Sequence, residues 1–176
     1  MLTNNFWSAL AQNMIGAVNS GSIKNVSGAL TNINNAVGSF LPFFITGYDY
    51  KVDLSKVNTS YNMSNRGGVI FGDGNTPVTA EDYKIAGNII TGITTSAALA
   101  HSFTDGLAQI VATYTITASS EVTIKEIAAF ASSGYNGMYM VDRTVLDTPV
   151  TIPAGGVGQV VYTITFNYLT ATAGTN

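Results

Sequence analysis

The single histidine, His101, stands directly before Ser102, and a hydrolytic triad would need that base and nucleophile to converge with an acid from separate loops. No G-x-S-x-G elbow accompanies the pair, so His101 reads as a loop or strand-edge histidine. Carboxylates come next, because glycoside hydrolysis needs two acids facing each other across a cleft. Asp73, Glu81 and Asp82 lie close in sequence, as do Glu121 and Glu126. Asp73 falls in a Gly-Asp-Gly-Asn turn, where its simplest bond is to the backbone two residues on. Thr79-Ala-Glu-Asp82 offers a capping oxygen followed by negative charge, the start of a short helical turn. Oxygen ligands at Asp73, Asn75 and the Glu81-Asp82 pair would suit calcium, but the EF-hand spacing is absent. The glycines at 67, 68, 72 and 74 lack a following Gly-Lys-Thr/Ser, and Asp73 would repel a phosphate. These residues therefore read as structural, and the expectation is a protein that is not an enzyme, with no cofactor and no metal.

Composition narrows the partners. The chain has 176 residues, 46% hydrophobic and 10% charged, with a net charge of -3. Soluble domains average about 25% charged residues, so Thr, Ser, Asn and Gly must cover this surface. So few charges leave little to keep copies apart, which points to life inside an assembly. The seven cations are scattered singly, so no nucleic-acid partner is expected. The longest apolar run, Phe40 to Ile45, is interrupted by Pro42 and is too short to span a bilayer. The absence of cysteine excludes disulfides, thiol nucleophiles and cysteine zinc sites. No positive start and apolar stretch of a secretory signal is visible, so synthesis in the cytoplasm is expected.

The elements that must position all this change character along the chain. Phe6, Trp7, Leu10, Met14, Ile15 and Val18 recur at helical intervals behind Asn4 or Asn5 as N-cap, predicting an amphipathic helix. Ile23, Val26, Leu30, Ile33 and Val37 predict a second one capped by Ser22, although Ser27, Gly28 and the asparagines are poor helix formers. From Tyr48 the period becomes two. Tyr48 to Leu54, Leu107 to Thr117, Met138 to Val141, Val145 to Ile152 and Gln159 to Tyr168 read as strands. The alternation slips a residue between Ile124 and Ile127, as a β-bulge would make it. Turn signals at 72–75, 132–134, 136–137 and 153–156 separate these runs. The expected fold is mainly β, an antiparallel β-sandwich of jelly-roll type over residues 46–169. A helical N-terminal arm over 1–45 precedes it, and a flexible tail over 170–176 follows. Tyr114, Tyr162 and Tyr168 could stack on sugar rings, but they share faces with aliphatic residues and read as core or subunit interface.

Over half of the chain, about 66–168, resembles a family of tailed-bacteriophage virion proteins. The resemblance rests on Phe71-Gly-Asp-Gly-Asn-Thr-Pro77 with Glu81-Asp-Tyr-Lys84, on Thr123-Ile-Lys-Glu-Ile127 running to Phe130, and on Asp142-Arg-Thr-Val-Leu146 with Pro149-Val-Thr-Ile-Pro-Ala-Gly155. Ala128-Ala129 stands where the family often has Gly-Leu. The resemblance implies a structural component of the virion, in capsid, neck or tail, partnered by other virion proteins and copies of itself. The alternative is a carbohydrate-binding adhesion module on the same particle, with a host-surface glycan as partner. Arg143 has Asp142 and Asp147 beside it to pair with at a sheet edge. Phe6, Trp7, Leu10 and Met14 on the arm, with Phe40, Phe43 and Phe44 around Pro42, are the expected partner contacts. The other arrangement is a helix folded back to cap one end of the sandwich.

Overall fold

A computed structural model describes residues 1–15, 23–31, 52–61, 67–104, 106–132 and 138–167. Helix α1 (Asn4–Ile15) is followed by a short hairpin, β1 (Ile23–Lys24) and β2 (Leu30–Thr31). Six longer strands then form two antiparallel sheets packed face to face, the expected β-sandwich. One sheet joins β3 (Gly68–Gly72), β6 (Val122–Ser132) and β7 (Met138–Ile152) in that order. The other joins β4 (Ile93–Thr104), β5 (Leu107–Ala118) and β8 (Val157–Asn167).

The alternation along β5 and β8 places Ala112, Tyr114, Ile116, Val160, Tyr162 and Ile164 in the core. Their neighbours along each strand are mostly threonine and other small or polar residues facing out. Tyr114 meets Phe71 edge to face, with ring centroids 5.4 Å apart, and donates its hydroxyl proton to the Leu54 carbonyl. Burial pushes the Tyr114 phenol well up, and the Asp53 charge adds to that. Sheet β3-β6-β7 is buried on both faces around β3 and residues 138–143 of β7, which is why these stretches carry unbroken buried runs. Its outer face holds a second cluster of Ile70, Ala128, Phe130, Met138 and Met140 beneath Ile85 and Val26.

Turn chemistry decides the corner between sheets. Gly155 takes φ +72°, and Gly156 N–H bonds the Pro153 carbonyl at 2.8 Å, closing the Pro-Ala-Gly-Gly turn that feeds β8. The register slip in β6 is present between Ile124 and Glu126.

Several expectations are corrected. Residues 23–31 form a hairpin and not a second helix, because Asn25 Oδ1 accepts the Ser27 and Ala29 N–H groups and Gly28 turns with φ +84°. That local side-chain bonding competes with the helix and wins. Val52 and Leu54 are buried but belong to no strand, since the chain turns at Leu54 and Ser55; residues 48–51 lie outside the described residues. The two strands expected over 138–152 are a single one, β7. Strands β3 and β4 have no counterpart in the periodicity reading.

Helix α1 is docked on the sandwich, the folded-back arrangement. Phe6 and Ala9 enter the main core, with the Phe6 ring 6.2 Å from Phe166. Thr3 N–H bonds the Val141 carbonyl, and Thr3 Oγ1 donates to Met140 O at 2.8 Å, so that hydroxyl is not a cap. Asn5 does not cap either; it exchanges two 2.8 Å bonds with the Lys24 backbone and ties the hairpin to the helix. Phe6 is 3% exposed, hence a core residue and not an open contact, while Trp7 is 54% exposed. Phe6→Ala should therefore cost about 3–5 kcal/mol of stability, whereas Trp7→Ala should stay within about 0.5 kcal/mol. Urea unfolding of the two variants checks this; equal losses would contradict the packing described.

Candidate functional site

The bulge in β6 has a consequence for chemistry. Ile124 faces the sandwich core, and strict alternation would bring Glu126 to that same apolar face. The extra residue at Lys125 turns Glu126 to the outer side of the sheet, where it is 0% exposed. A second register shift, where β7 carries one more residue opposite Ala129 and Phe130, places Asp142 inward and Arg143 outward. Asp142 accepts a very short hydrogen bond from Tyr162 OH inside the core. Burial, then the Asp142 charge, holds the Tyr162 phenol far above its ordinary range.

Arg143, 1% exposed, uses three nitrogens at once. Nε donates to Glu126 Oε2 at 2.7 Å, Nη1 to Asp82 Oδ2 at 2.7 Å and Nη2 to the Thr76 carbonyl at 2.9 Å. Glu126 in turn accepts the N–H groups of Gly74 at 3.0 Å, Ala86 at 3.1 Å and Gly87 at 2.8 Å. The loop from 73 to 88 is thus wrapped around one buried carboxylate. Backbone can come that close only where there is no side chain: a Cβ on Gly74 would lie 2.3 Å from Glu126 Oε1, and one on Gly87 would lie 2.2 Å from Asp73 Oδ1. Asp73 closes the loop from its rim by accepting Asn88 N–H at 2.6 Å and Asn88 Nδ2 at 3.1 Å. These bonds hold the Asp73 carboxyl below its usual range.

This arrangement corrects two readings. Arg143 lies on an edge strand, β7, as expected, but it is buried between Glu126 and Asp82 and does not pair with Asp142 and Asp147. Asp73 bonds Asn88 and not the backbone two residues on. Thr79 and Asp82 do form the expected turn, with Asp82 accepting Thr79 N–H at 3.0 Å and its hydroxyl at 2.8 Å. Burial pushes Asp82 up, but the Thr79 N–H and Arg143 outweigh it and hold the carboxyl below its ordinary range. Arg143 is raised despite burial, by the same two carboxylates.

Next to the ion cluster lies an open cleft of about 450 Å³, lined by Asn4, Trp7, Ser8, Lys24, Leu30 and Glu81 among others. Trp7 and Leu30 supply exposed apolar surface, and Asn4 Nδ2 donates to Glu81 Oε1 at 2.6 Å across it. Lys24 Nζ sits 5.1 Å from the centre of the Tyr83 ring. His101 is elsewhere, exposed on β4, with its ring 5.7 Å from that of Phe103. Tyr114 and Tyr162 are core residues. The expected contacts Phe40, Phe43 and Phe44, and also Tyr168, lie outside the described residues, as do the side chains of Leu10 and Met14. Among the described residues no three of His, Cys, Asp and Glu are grouped to hold a metal ion. None of their helices is long and apolar enough to cross a membrane.

Comparison of the chain with protein-family models, with curated proteins and with solved structures finds no match.

Removing one partner of a buried ion pair costs about 3–5 kcal/mol. Glu126→Ala and Arg143→Ala should each lose that much, and the double variant less than the sum, because the second change no longer strands a charge. Strict additivity in a denaturation cycle would refute the coupling. The lowered Asp82 carboxyl also fixes a sign: its contribution is complete above the unfolded value of about 4 and is lost as pH falls through the lower folded value. Asp82→Asn should shrink the fall of melting temperature below about pH 4, as read by thermal scans across that range.

Proposed function

We propose that this chain is a structural component of a tailed-bacteriophage virion, in capsid, neck or tail, acting by self-association and by docking onto other virion proteins. It is read as a non-enzyme, made in the host cytoplasm and carried on the particle. One observation supports this above all. The blocks that carry the resemblance meet physically at the Arg143 cluster: Gly74 and Thr76 from the Gly-Asp-Gly-Asn-Thr loop, Asp82 from the Glu-Asp-Tyr-Lys segment, Glu126 from Ile-Lys-Glu-Ile, and Arg143 from Asp-Arg-Thr-Val-Leu. Residues scattered over 70 positions of sequence thus serve one clamp, which accounts for that set of blocks as a scaffold and not as a reaction centre. The small share of charged residues fits a protein whose surface is largely covered by neighbours.

Trp7, exposed on a helix that is itself held by the core, is the anchor this reading assigns to docking. An interface aromatic typically carries about 2 kcal/mol or more, roughly thirtyfold in affinity. Trp7→Ala should leave the thermal transition unchanged and lower incorporation into particles by about that factor. Mass spectrometry and cryo-electron microscopy of purified virions provide the test. A chain absent from particles overturns the reading.

The cleft beside Trp7 favours a second reading, an adhesion module that takes a glycan. An exposed indole flanked by Asn4, Ser8, Lys24 and Glu81 combines an apolar platform with short polar groups, as sugar rings require. Trp7 is the only tryptophan, so its fluorescence reports the cleft alone. Titration with chitotriose and maltotriose should give a saturable change on this reading, and an unresponsive spectrum with both rejects it.

A further inference from the structure

The two sheets treat their edges differently. On sheet β3-β6-β7 the chain itself covers the edge along β3 and along residues 138–143 of β7. Along β3, Val57 bridges Val69, Asn58 N–H bonds the Val69 carbonyl, and Ile90 N–H bonds Phe71 O. Along β7, Thr3 N–H bonds Val141 O, Val26 N–H bonds Met138 O and Arg143 N–H bonds Met1 O. On the other sheet β4 is an edge strand, and among the described residues nothing pairs with its outer side.

An open edge is a template for another strand, and monomeric proteins blunt it with charge, proline or a bulge. β4, Ile-Thr-Thr-Ser-Ala-Ala-Leu-Ala-His-Ser-Phe-Thr, contains no Asp, Glu, Lys, Arg or Pro. Its pairing with β5 runs through twelve residue pairs without a register shift, so no bulge twists the edge away. From Ala98 to Thr104 every residue is exposed, on both faces of the sheet. Leu99 and Phe103, on the face that Ile93 and Ala97 turn toward the core, remain 52% and 68% exposed beyond the reach of the opposite sheet.

We infer that β4 pairs antiparallel with β4 of a second copy, about a two-fold axis at His101, joining two three-stranded sheets into one of six strands. This register sets Leu99 of each copy opposite Phe103 of the other, so that the two large exposed apolar side chains of β4 are covered by one operation. It also sets Ala100 opposite Ser102 twice, small side chains with no charge between them. A heterologous pairing of β4 with β8, the strand at the other edge, that kept both inner faces on one side would be parallel and less stable per residue. The inference deepens the self-association half of the proposed function and rests on that reading.

The chain has no cysteine, which makes the register directly testable. Directly opposed residues stand about 4.5–5.5 Å apart, within disulfide reach. His101→Cys should give a covalent dimer under mild oxidation, while Ser96→Cys, displaced by about ten residues from its own copy, should not. Sedimentation of the unmodified chain should show a dimer. Ala100→Lys with Ser102→Lys opposes like charges at two places and should leave a folded monomer, as should the corresponding double glutamate variant. Mixing the two should restore a dimer between them. A wild-type chain that stays monomeric to about 100 μM, roughly the −5.5 kcal/mol level, overturns the inference, as does a dimer that His101→Cys fails to trap or the lysines fail to split. Particles that incorporate a monomeric lysine variant at wild-type level overturn the edge pairing while leaving the virion reading standing. A dimer in solution with the chain absent from virions overturns the virion reading.

Discussion

The contact between Glu126 and Arg143 organises more of this molecule than any other. An ion pair that is almost wholly buried gains little net energy, because both groups give up hydration that their attraction scarcely repays. What it supplies is uniqueness. Glu126 has acceptor capacity for Gly74, Ala86 and Gly87 N–H groups as well as for Arg143, and all of it is used. A loop of some fifteen residues without strands or helices of its own is therefore held in one conformation against the outer face of a sheet. The same guanidinium reaches Asp82, whose turn lies against the first residues of α1 through Asn4 and Glu81. Tyr61, whose hydroxyl accepts Ile85 N–H and whose phenol is pushed up to about 12 mainly by burial, packs on Phe130 beside this loop.

Sheet β3-β6-β7 is in consequence the middle layer of the protein and not an outer wall. One face meets β4-β5-β8; the other is roofed by the clamped loop and the 23–31 hairpin. Its edges are occupied by the N-terminal residues on one side and by 56–58 and 88–90 on the other. The other sheet has a threonine-rich solvent face and, among the described residues, no partner on the outer side of β4. Among the described residues the first half of β7 and all of β3 are thus shielded, whereas the long uncharged strand β4 has no partner along its outer side.

How far the sequence was legible depends on whether the information is local. The alternation in β5 and β8 reads directly because one face meets the core and the other water, and each residue reports its own side. The Pro-Ala-Gly-Gly corner and the β6 bulge are legible for the same reason. β3 escapes because a strand buried on both faces has no alternation, and β4 because its second half is exposed on both. Residues 23–31 mislead because Asn25 and Gly28 favour a turn that apolar spacing does not register.

By itself, then, the sequence determined the mainly β character, the positions of the clearest strands and turns, and the scarcity of charge, all of which follow from composition and near-neighbour order. Tertiary structure alone decided the partners of Arg143, the burial of Glu126 and Phe6, and the exposure of Trp7 and of the second half of β4. Each of these depends on segments far apart in the chain coming together, Arg143 with Asp82 across 61 residues and Thr3 with Met140 across 137. Hydrogen bonding and burial are properties of such meetings, and side-chain type and spacing record them only where the meeting is between neighbours.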